Sequence, residues 1–327
     1  MLSSTYIALI NIFLCSFLTY FVAPFVREIG LNYKIVDIPN TRKIHNVPIV
    51  RIGGLSIFII FLLFFLGYIF FSFSLDIFSS TYYLYEIFIG ASLFFLIGLH
   101  DDIFKSSPFL RLALQFTIAF VLSSYGLNFG SLNFSLPFLG NFNIVLPLAL
   151  NYIVSSFWIV GITNALNWLD GIDGLAAGYS SILSLGLCLF MIINGNTTGV
   201  LFFSIFLGAV LGFLIRNFKP AFYIMGDCGS NFLGFCLSTS ALIFLKDQTF
   251  SSINFVSLIL LFSLPILDML IVIIGRFLNG VSIFLPDKTH IHHRLLNLNL
   301  EYKKVIFLLY IYSSFSTFFG ILCLNNI

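Results

Sequence analysis

Asn164-Ala-Leu-Asn-Trp-Leu-Asp-Gly-Ile-Asp-Gly-Leu175 separates two apolar runs, residues 144–163 and 175–193. Each run can cross a bilayer as a helix, which takes about 20 mostly apolar residues. Two carboxylates and two carboxamides between such runs are costly, and such groups are kept for a purpose. Asn164, Asn167, Asp170 and Asp173 recur every three residues. On an α-helix they would drift by about 60° per step, and only a tighter 3₁₀ turn would align them. Gly171 and Gly174 argue that the helix ends here. The stretch therefore reads as a broken helix whose polar side chains converge on one point. A new helix from Leu175 would offer free N–H groups to an anion. Irregular backbone at this depth is tolerated where it lines a polar cavity.

The flanking sequence is of one kind. The 327 residues are 59% hydrophobic and 9% charged, with a mean hydropathy of +1.07, against about 25% charged in soluble domains. No soluble interior hides 43 Phe, so the apolar surface must face lipid. The expected fold is all-α, a polytopic integral membrane protein forming one domain over 1–327. A net charge of +2 gives no reason to expect nucleic acid as a partner. Cys15, Cys188, Cys228, Cys236 and Cys323 show no paired spacing, and neither a disulfide framework nor a zinc site is read from them.

Ten spans are expected: 4–26, 53–73, 82–99, 108–126, 144–163, 175–193, 198–215, 228–245, 253–275 and 304–325. No Lys or Arg precedes Arg27 and no cleavage site is evident, so 4–26 is read as a first span and not a signal peptide. When the connections are placed alternately on two sides, 14 of the 15 Lys and Arg fall on or beside one of them; Lys246 is the exception. Positively charged loops stay in the cytoplasm. That side is therefore expected to be cytoplasmic, with both termini outside. All five His and ten of the 13 acids share it, so the active site is expected to face the cytoplasm.

Four further constellations lie on that side. The loop Asp37–Gly54 mixes Arg42, Lys43, His45 and Arg51 with Pro39, Pro48 and Gly53-Gly54. Such basic groups suit a phosphate or an anionic headgroup, although ordinary positive-inside charge would look similar. His100-Asp101-Asp102, followed by Lys105 and Arg111, places adjacent carboxylates at the unfavourable end of a helix dipole. They are tolerable with a cation or a shared proton. Gly226-Asp227-Cys228-Gly229-Ser230-Asn231 reads as an N-cap with a phosphate-sized nest, or as a plain cap by Asp227 or Ser230. Pro286-Asp-Lys-Thr-His-Ile-His-His-Arg294 puts three His among cations. This favours an anion or nucleotide over zinc, which wants four well-spaced ligands. The set calls for a divalent cation, a diphosphate and a lipid partner. A transporter with a proton relay is the competing class. Its site would lie near the midplane between repeated halves, and no repeat is seen here.

Taken together, Asp101-Asp102, Asn164…Asp170-Gly-Ile-Asp173-Gly, Gly226-Asp227-Cys-Gly-Ser230 and His290-Ile-His-His-Arg294 resemble the motifs of the polyprenyl-phosphate N-acetylhexosamine-1-phosphate transferases over residues 37–300. The histidine motif resembles the branch that primes O-antigen, enterobacterial common antigen or teichoic-acid linkage units, with GlcNAc as the usual sugar. It does not match the branch using UDP-MurNAc-pentapeptide. Val50, Arg111, Cys228 and Asn299 stand where the family commonly has Pro, Lys, a small residue and Gly. None of these departures removes a carboxylate or a His, and Asn tolerates a left-handed backbone.

The resemblance implies transfer of GlcNAc-1-phosphate from UDP-GlcNAc to undecaprenyl or another polyprenyl phosphate, an early step in cell-surface polysaccharide synthesis. Another UDP-HexNAc, or UDP-MurNAc-pentapeptide, is the alternative donor. Mg²⁺, or Mn²⁺ in its place, would be held by Asp173 and Asp227. Asp101, Asp102, Asp170 and Asp173 would be catalytic. Lys43, His45, Asn164, Asn167, Ser230, His290, His292, His293 and Arg294 would meet the substrates. A phosphate monoester has a second pKa near about 6, so the acceptor needs little help from a base. Direct in-line attack is therefore ranked above a covalent Asp intermediate. The expected partners are a UDP-N-acetylhexosamine, polyprenyl phosphate and the bilayer, with a homodimer left open.

Overall fold

The computed structural model describes residues 2–37, 48–74, 82–130, 132–136, 140–144, 146–218, 220–245, 250–282 and 289–325. Its helices are α1 (Leu2–Asn32), α2 (Gly54–Ser74), α3 (Tyr82–Phe104), α4 (Pro108–Ser124), α5 (Leu148–Leu169), α6 (Leu175–Ile193), α7 (Thr197–Asn217), α8 (Gly226–Phe244), α9 (Ser252–Leu261), α10 (Ser263–Leu278), α11 (Ile291–Asn297) and α12 (Tyr302–Asn325). The fold is the expected all-α polytopic membrane protein. Among the described residues, six helices are long and apolar enough to cross a bilayer, or seven if the bent pair α9–α10 counts as one. Gly54–Phe70 and α4 are shorter apolar helices. The expected count of ten spans is therefore not established.

α7 and α8 form the centre. α1 and α6 pack on α7, and α3 and α5 pack on α8. Apart from Asp227, α8 is buried from Gly226 to Leu242. Small residues let backbones approach, as is usual between membrane helices. A Cβ on Gly98 would lie 2.2 Å from the Asp227 carbonyl oxygen, and one on Gly212 would lie 2.3 Å from the Ser16 carbonyl. The phenylalanines divide accordingly. Phe61, Phe65, Phe202, Phe206 and Phe232 interlock in the core, whereas Phe13, Phe17 and Phe21 lie on the outer face of α1.

Three local features differ from the sequence reading. The expected span 253–275 is two helices meeting at Phe262 with a 74° bend. Pro265 has no N–H to give the Leu261 carbonyl, and the buried Tyr179 hydroxyl donates to that carbonyl at 2.8 Å. The connection 127–143 contains a hairpin, β3 (Leu132–Leu136) with β4 (Gly140–Ile144). A short strand β5 (Phe250–Ser251) runs parallel to β3. α5 consequently begins at Leu148. A second small ladder pairs β1 (Val36–Asp37) with β2 (Ile49–Val50). Asn299 has φ +61°, the left-handed conformation that the Gly-to-Asn departure requires.

Candidate active site

The site begins at the start of α8. The N-cap position, Met225, offers no side-chain cap to the orphan N–H groups of the first turn. Asp102 supplies one from the end of α3. Its Oδ1 accepts the Asp227 N–H at 3.0 Å and its Oδ2 the Cys228 N–H at 2.9 Å. Gly226 makes room with φ +77°, and a Cβ there would lie 1.9 Å from the Arg51 carbonyl and 2.7 Å from Asp102 Oδ2. The nest read from Gly226–Ser230 as a phosphate site thus holds the chain's own carboxylate. The plain cap expected from Asp227 or Ser230 comes instead from 125 residues upstream.

Two arginines gather the acids. Arg51 Nε lies 2.8 Å from Asp102 Oδ1, and its Nη2 lies 3.5 Å from Asp227 Oδ1. Arg111 Nη1 joins Asp101 Oδ2 at 2.9 Å to Asp227 Oδ2 at 2.6 Å. Backbone bonds hold Arg51 in place: its N–H reaches the Ile35 carbonyl, and those of Gly53 and Gly54 reach Ile224 and Met225. Burial, the largest effect, lowers the Arg51 pKa, but the carboxylates of Asp227, Asp102, Asp37 and Asp101 together raise it above its ordinary value.

The stretch 164–175 supplies the opposite wall. α5 ends at Leu169 with Asp170 as C-cap, and α6 begins after Gly174 at φ +84°. The break is where the glycines put it. Asn167 Nδ2 donates to Asp227 Oδ1 at 3.0 Å and to Ser230 Oγ at 2.8 Å. Ser230 is buried and donates to the Gly226 carbonyl. The Asp170 N–H donates to the Leu166 and Asn167 carbonyls, but its carboxylate takes no hydrogen bond among the described residues. Burial, then Asp227, Asp173 and Asp102, push its carboxyl well above the usual carboxylate range, against Arg51. Asp173 is half-buried, and its carbonyl accepts the Tyr302 hydroxyl. Tyr310 donates likewise to the Gly174 carbonyl at 2.6 Å.

Convergence of all four polar residues does not occur. Asn164 Nδ2 is spent on Gln115 Oε1 at 2.7 Å and on the Val160 carbonyl at 2.8 Å. α5 is an α-helix through this stretch, so the 60° drift turns Asn164 toward α4. The start of α6 is also less open to an anion than expected. Asn217 Oδ1 takes the Gly174 N–H, and the Ile172 carbonyl takes that of Leu175.

The histidine motif adjoins the same stretch. His290 Nδ1 lies 2.8 Å from Asp268 Oδ2. Its ring stands edge-on to Trp168 at 5.7 Å and stacks on His292 at 5.6 Å. His292 is 1% exposed, and neither ring nitrogen has a hydrogen-bond partner among the described residues. Burial first, then His293 and His290, hold its pKa down at about 3, so the ring is neutral. It lies against Gly171, where a Cβ would be 2.3 Å from its Nε2. His293 packs on His292 at 4.4 Å. Arg294 is exposed and Nε braces the Thr289 carbonyl at 2.7 Å. Lys43 and His45 lie outside the described residues.

Sequence reading passed over Arg51 and Arg111 as site residues, and over Asp268, Tyr302 and Tyr310. Asp268 had a signal: it is an acid inside an apolar run.

The donor set suits a hard divalent cation. Asp101, Asp102 and Asp227 pair with two guanidiniums. Asp170 interacts electrostatically with Asp227, Asp173 and Asp102, and the Asp170 carboxylate takes no hydrogen bond among the described residues. No three His, Cys, Asp or Glu side chains form a ready metal cage among the described residues. Mg²⁺ is usually held by one or two carboxylates together with substrate phosphates.

Residues 84–245 match the model of glycosyl transferase family 4. The chain is 36% identical over 314 residues to the probable undecaprenyl-phosphate N-acetylglucosaminyl 1-phosphate transferase of Bacillus subtilis, covering 95% of this chain and 84% of that one. It is 31% identical over 317 residues to the decaprenyl-phosphate N-acetylglucosaminephosphotransferase of Mycobacterium tuberculosis, covering 90% and 77%. It is 28% identical over 320 residues to the undecaprenyl-phosphate alpha-N-acetylglucosaminyl 1-phosphate transferase of Escherichia coli, covering 96% and 82%.

Proposed function

Because the chain belongs to glycosyl transferase family 4, we propose that it moves N-acetylglucosamine 1-phosphate from UDP-GlcNAc to a polyprenyl phosphate, releasing UMP. The observation that carries this reading is the placement of 164–175. The same twelve residues touch the carboxylate cluster through Asn167 and the histidine motif through Trp168 and Gly171. A nucleotide diphosphate needs both sides, charge neutralisation on one and anion contacts on the other.

An oxygen of the lipid phosphate attacks the β-phosphorus of UDP-GlcNAc. The bond from that phosphorus to the oxygen bridging the two phosphates breaks. UMP leaves with that oxygen, and the product is polyprenyl-diphosphate-GlcNAc. There is little covalent work for the protein, so catalysis is mostly positioning and charge neutralisation. Asp227, Asp170 and Asp173 would hold Mg²⁺, which supplies positive charge to the diphosphate. Arg51 and Arg111 keep Asp227 ionised and aimed by pairing with its two oxygens. Asp101 faces the acceptor phosphate from its shared Arg111. Asp102 is spent on the α8 N-terminus and acts by fixing Asp227. His290, His293 and Arg294 meet the nucleotide sugar. The site faces the cytoplasm of a plasma membrane, where UDP-sugars are made, and both termini face outward.

The test is UMP release by the purified protein in detergent from UDP-GlcNAc and polyprenyl phosphate, with and without Mg²⁺ and a chelator. No UMP with either substrate set removes the transferase reading. A panel of UDP-HexNAc donors and UDP-MurNAc-pentapeptide fixes the sugar.

A further inference from the structure

We propose that Asp268 is a positioning residue for the transfer, acting through His290; this rests on the reading of the site given above. Asp268 lies on α10 within an otherwise apolar run and is wholly buried. A carboxylate held away from water is costly unless its oxygens find donors. Both do. Oδ1 accepts the Ile291 N–H at 2.6 Å, at the start of α11, and Oδ2 meets His290 Nδ1 at 2.8 Å.

The two bonds serve different ends. The first fixes where the short helix α11 begins. The second fixes the rotation of one ring. With Nδ1 bonded to a carboxylate, the ring presents Nε2 from its opposite edge. Trp168 stands edge-on to that ring and His292 stacks on its face at an interplanar angle of 11°. The groups facing His290 are thus Asp268 from α10, Trp168 from α5 and His292 from α11. Trp168 is itself held under the Arg276 guanidinium at 5.5 Å. A side chain confined from three directions is preorganised, and preorganised donors cost no reordering when charge develops.

Capping alone does not account for a buried aspartate here. Many helices begin with the cap on the preceding residue, and His290 is the N-cap position of α11 without any side-chain cap bond. The carboxylate instead arrives from α10, 22 residues away in sequence, and engages the histidine and the helix start together. In the working complex the His290 ring lies between two anions, Asp268 and the substrate diphosphate. Nε2, on the edge away from Asp268, is then the ring atom turned to the diphosphate.

The experiment is a double-mutant cycle on turnover and on UMP binding, using wild type, Asp268→Asn, His290→Ala and the double variant. Asp268→Asn is expected to cut kcat/KM for UDP-GlcNAc by about 10- to 100-fold, as loss of a carboxylate that orients a histidine does elsewhere. The KM for polyprenyl phosphate should stay put. In the His290→Ala background, removing Asp268 should cost little more. An additive cycle, or full activity in folded Asp268→Asn, overturns the proposal. A melting temperature lowered equally by Asp268→Asn and Asp268→Ala, with an additive cycle, makes Asp268 a cap alone and also overturns it. Absence of UMP release by the wild type would instead refute the transferase reading, so the two failures are distinguishable.

Discussion

Asp102 and Asp227 are joined through the backbone: the Asp102 carboxylate accepts the N–H of Asp227 at 3.0 Å and of Cys228 at 2.9 Å. The two aspartates therefore do different work, although both belong to the same acidic cluster. Asp102 sets where α8 starts, and through that the position of the Asp227 side chain. Asp101, its immediate neighbour, has no such duty and shares Arg111 with Asp227.

Substitution should separate them. Asp102→Asn leaves one oxygen where two accept N–H bonds, and it leaves Arg51 only the longer pairing with Asp227 at 3.5 Å. Bonds to charged groups contribute about 1.5–3 kcal/mol each, so a clear fall in melting temperature in detergent is expected along with lost activity. Asp101→Asn should lose activity with a much smaller change in melting temperature. Equal melting temperatures for the two variants would deny Asp102 its capping role.

Asp227→Asn tests the cation side. The side chain lies between Arg51, Arg111 and Asn167, so its shape is held by neighbours that the variant keeps. Removing its charge should lower the turnover number by about 100- to 1000-fold, the range seen when a preorganised electrostatic group is lost. Chelation should reduce the wild type to a comparable level, and Mg²⁺ titration should no longer rescue the variant. Unchanged turnover after either treatment would remove Asp227 from the metal site.

How much of this was legible beforehand depends on sequence distance. The break at Asp170–Gly174 was readable because its causes are local: two glycines and polar residues between apolar runs. The bend at Phe262 also had a local cause in Pro265, which the apolar run around it obscured. The acidic cluster was readable as residue types on one side of the membrane. Its wiring was not. Asp102 to the α8 start, Arg111 to Asp227 and Asp268 to His290 all join residues 22 or more apart. No spacing rule reports such pairs; packing decides them. Asn164 shows the reverse error, in which a regular spacing suggested convergence that the 3.6-residue helix period forbids.

Asp170 gives a pH dependence with a definite sign. Its folded carboxyl titrates above the usual value of about 3.9. Between that value and the raised one, the folded state holds a proton that the unfolded chain has released. Metal-free protein should therefore lose stability as pH rises through this window and regain it as pH falls. Asp170→Asn should flatten that slope and raise the melting temperature at neutral pH. The proposed Mg²⁺ binding would run the other way, since it would need the carboxylate, so apparent Mg²⁺ affinity should weaken on acidification before ordinary aspartates protonate. A stability profile identical in wild type and Asp170→Asn would contradict the assignment.

Gly171 and His292 make the sharpest steric prediction. A Cβ at 171 would lie 2.3 Å from His292 Nε2 and 2.5 Å from its Cε1, and a rigid ring cannot yield as a flexible chain end can. His292 is buried, stacked on His290 and packed against the tilted His293 ring, so it has nowhere to retreat. Gly171→Ala should thus cost about 1–3 kcal/mol of stability, the usual range for overpacking, and disable the site. Adding His292→Ala removes the ring that the methyl strikes. The double variant should regain the melting temperature of His292→Ala alone, yet stay poorly active if the neutral imidazole serves the substrate. Since the His292 pKa is held near 3, none of the pH dependence of turnover between pH 5 and 8 (about the range where ordinary histidines titrate) should disappear with His292→Gln. A shared melting temperature for Gly171→Ala with and without His292 would show that these two residues do not press on each other.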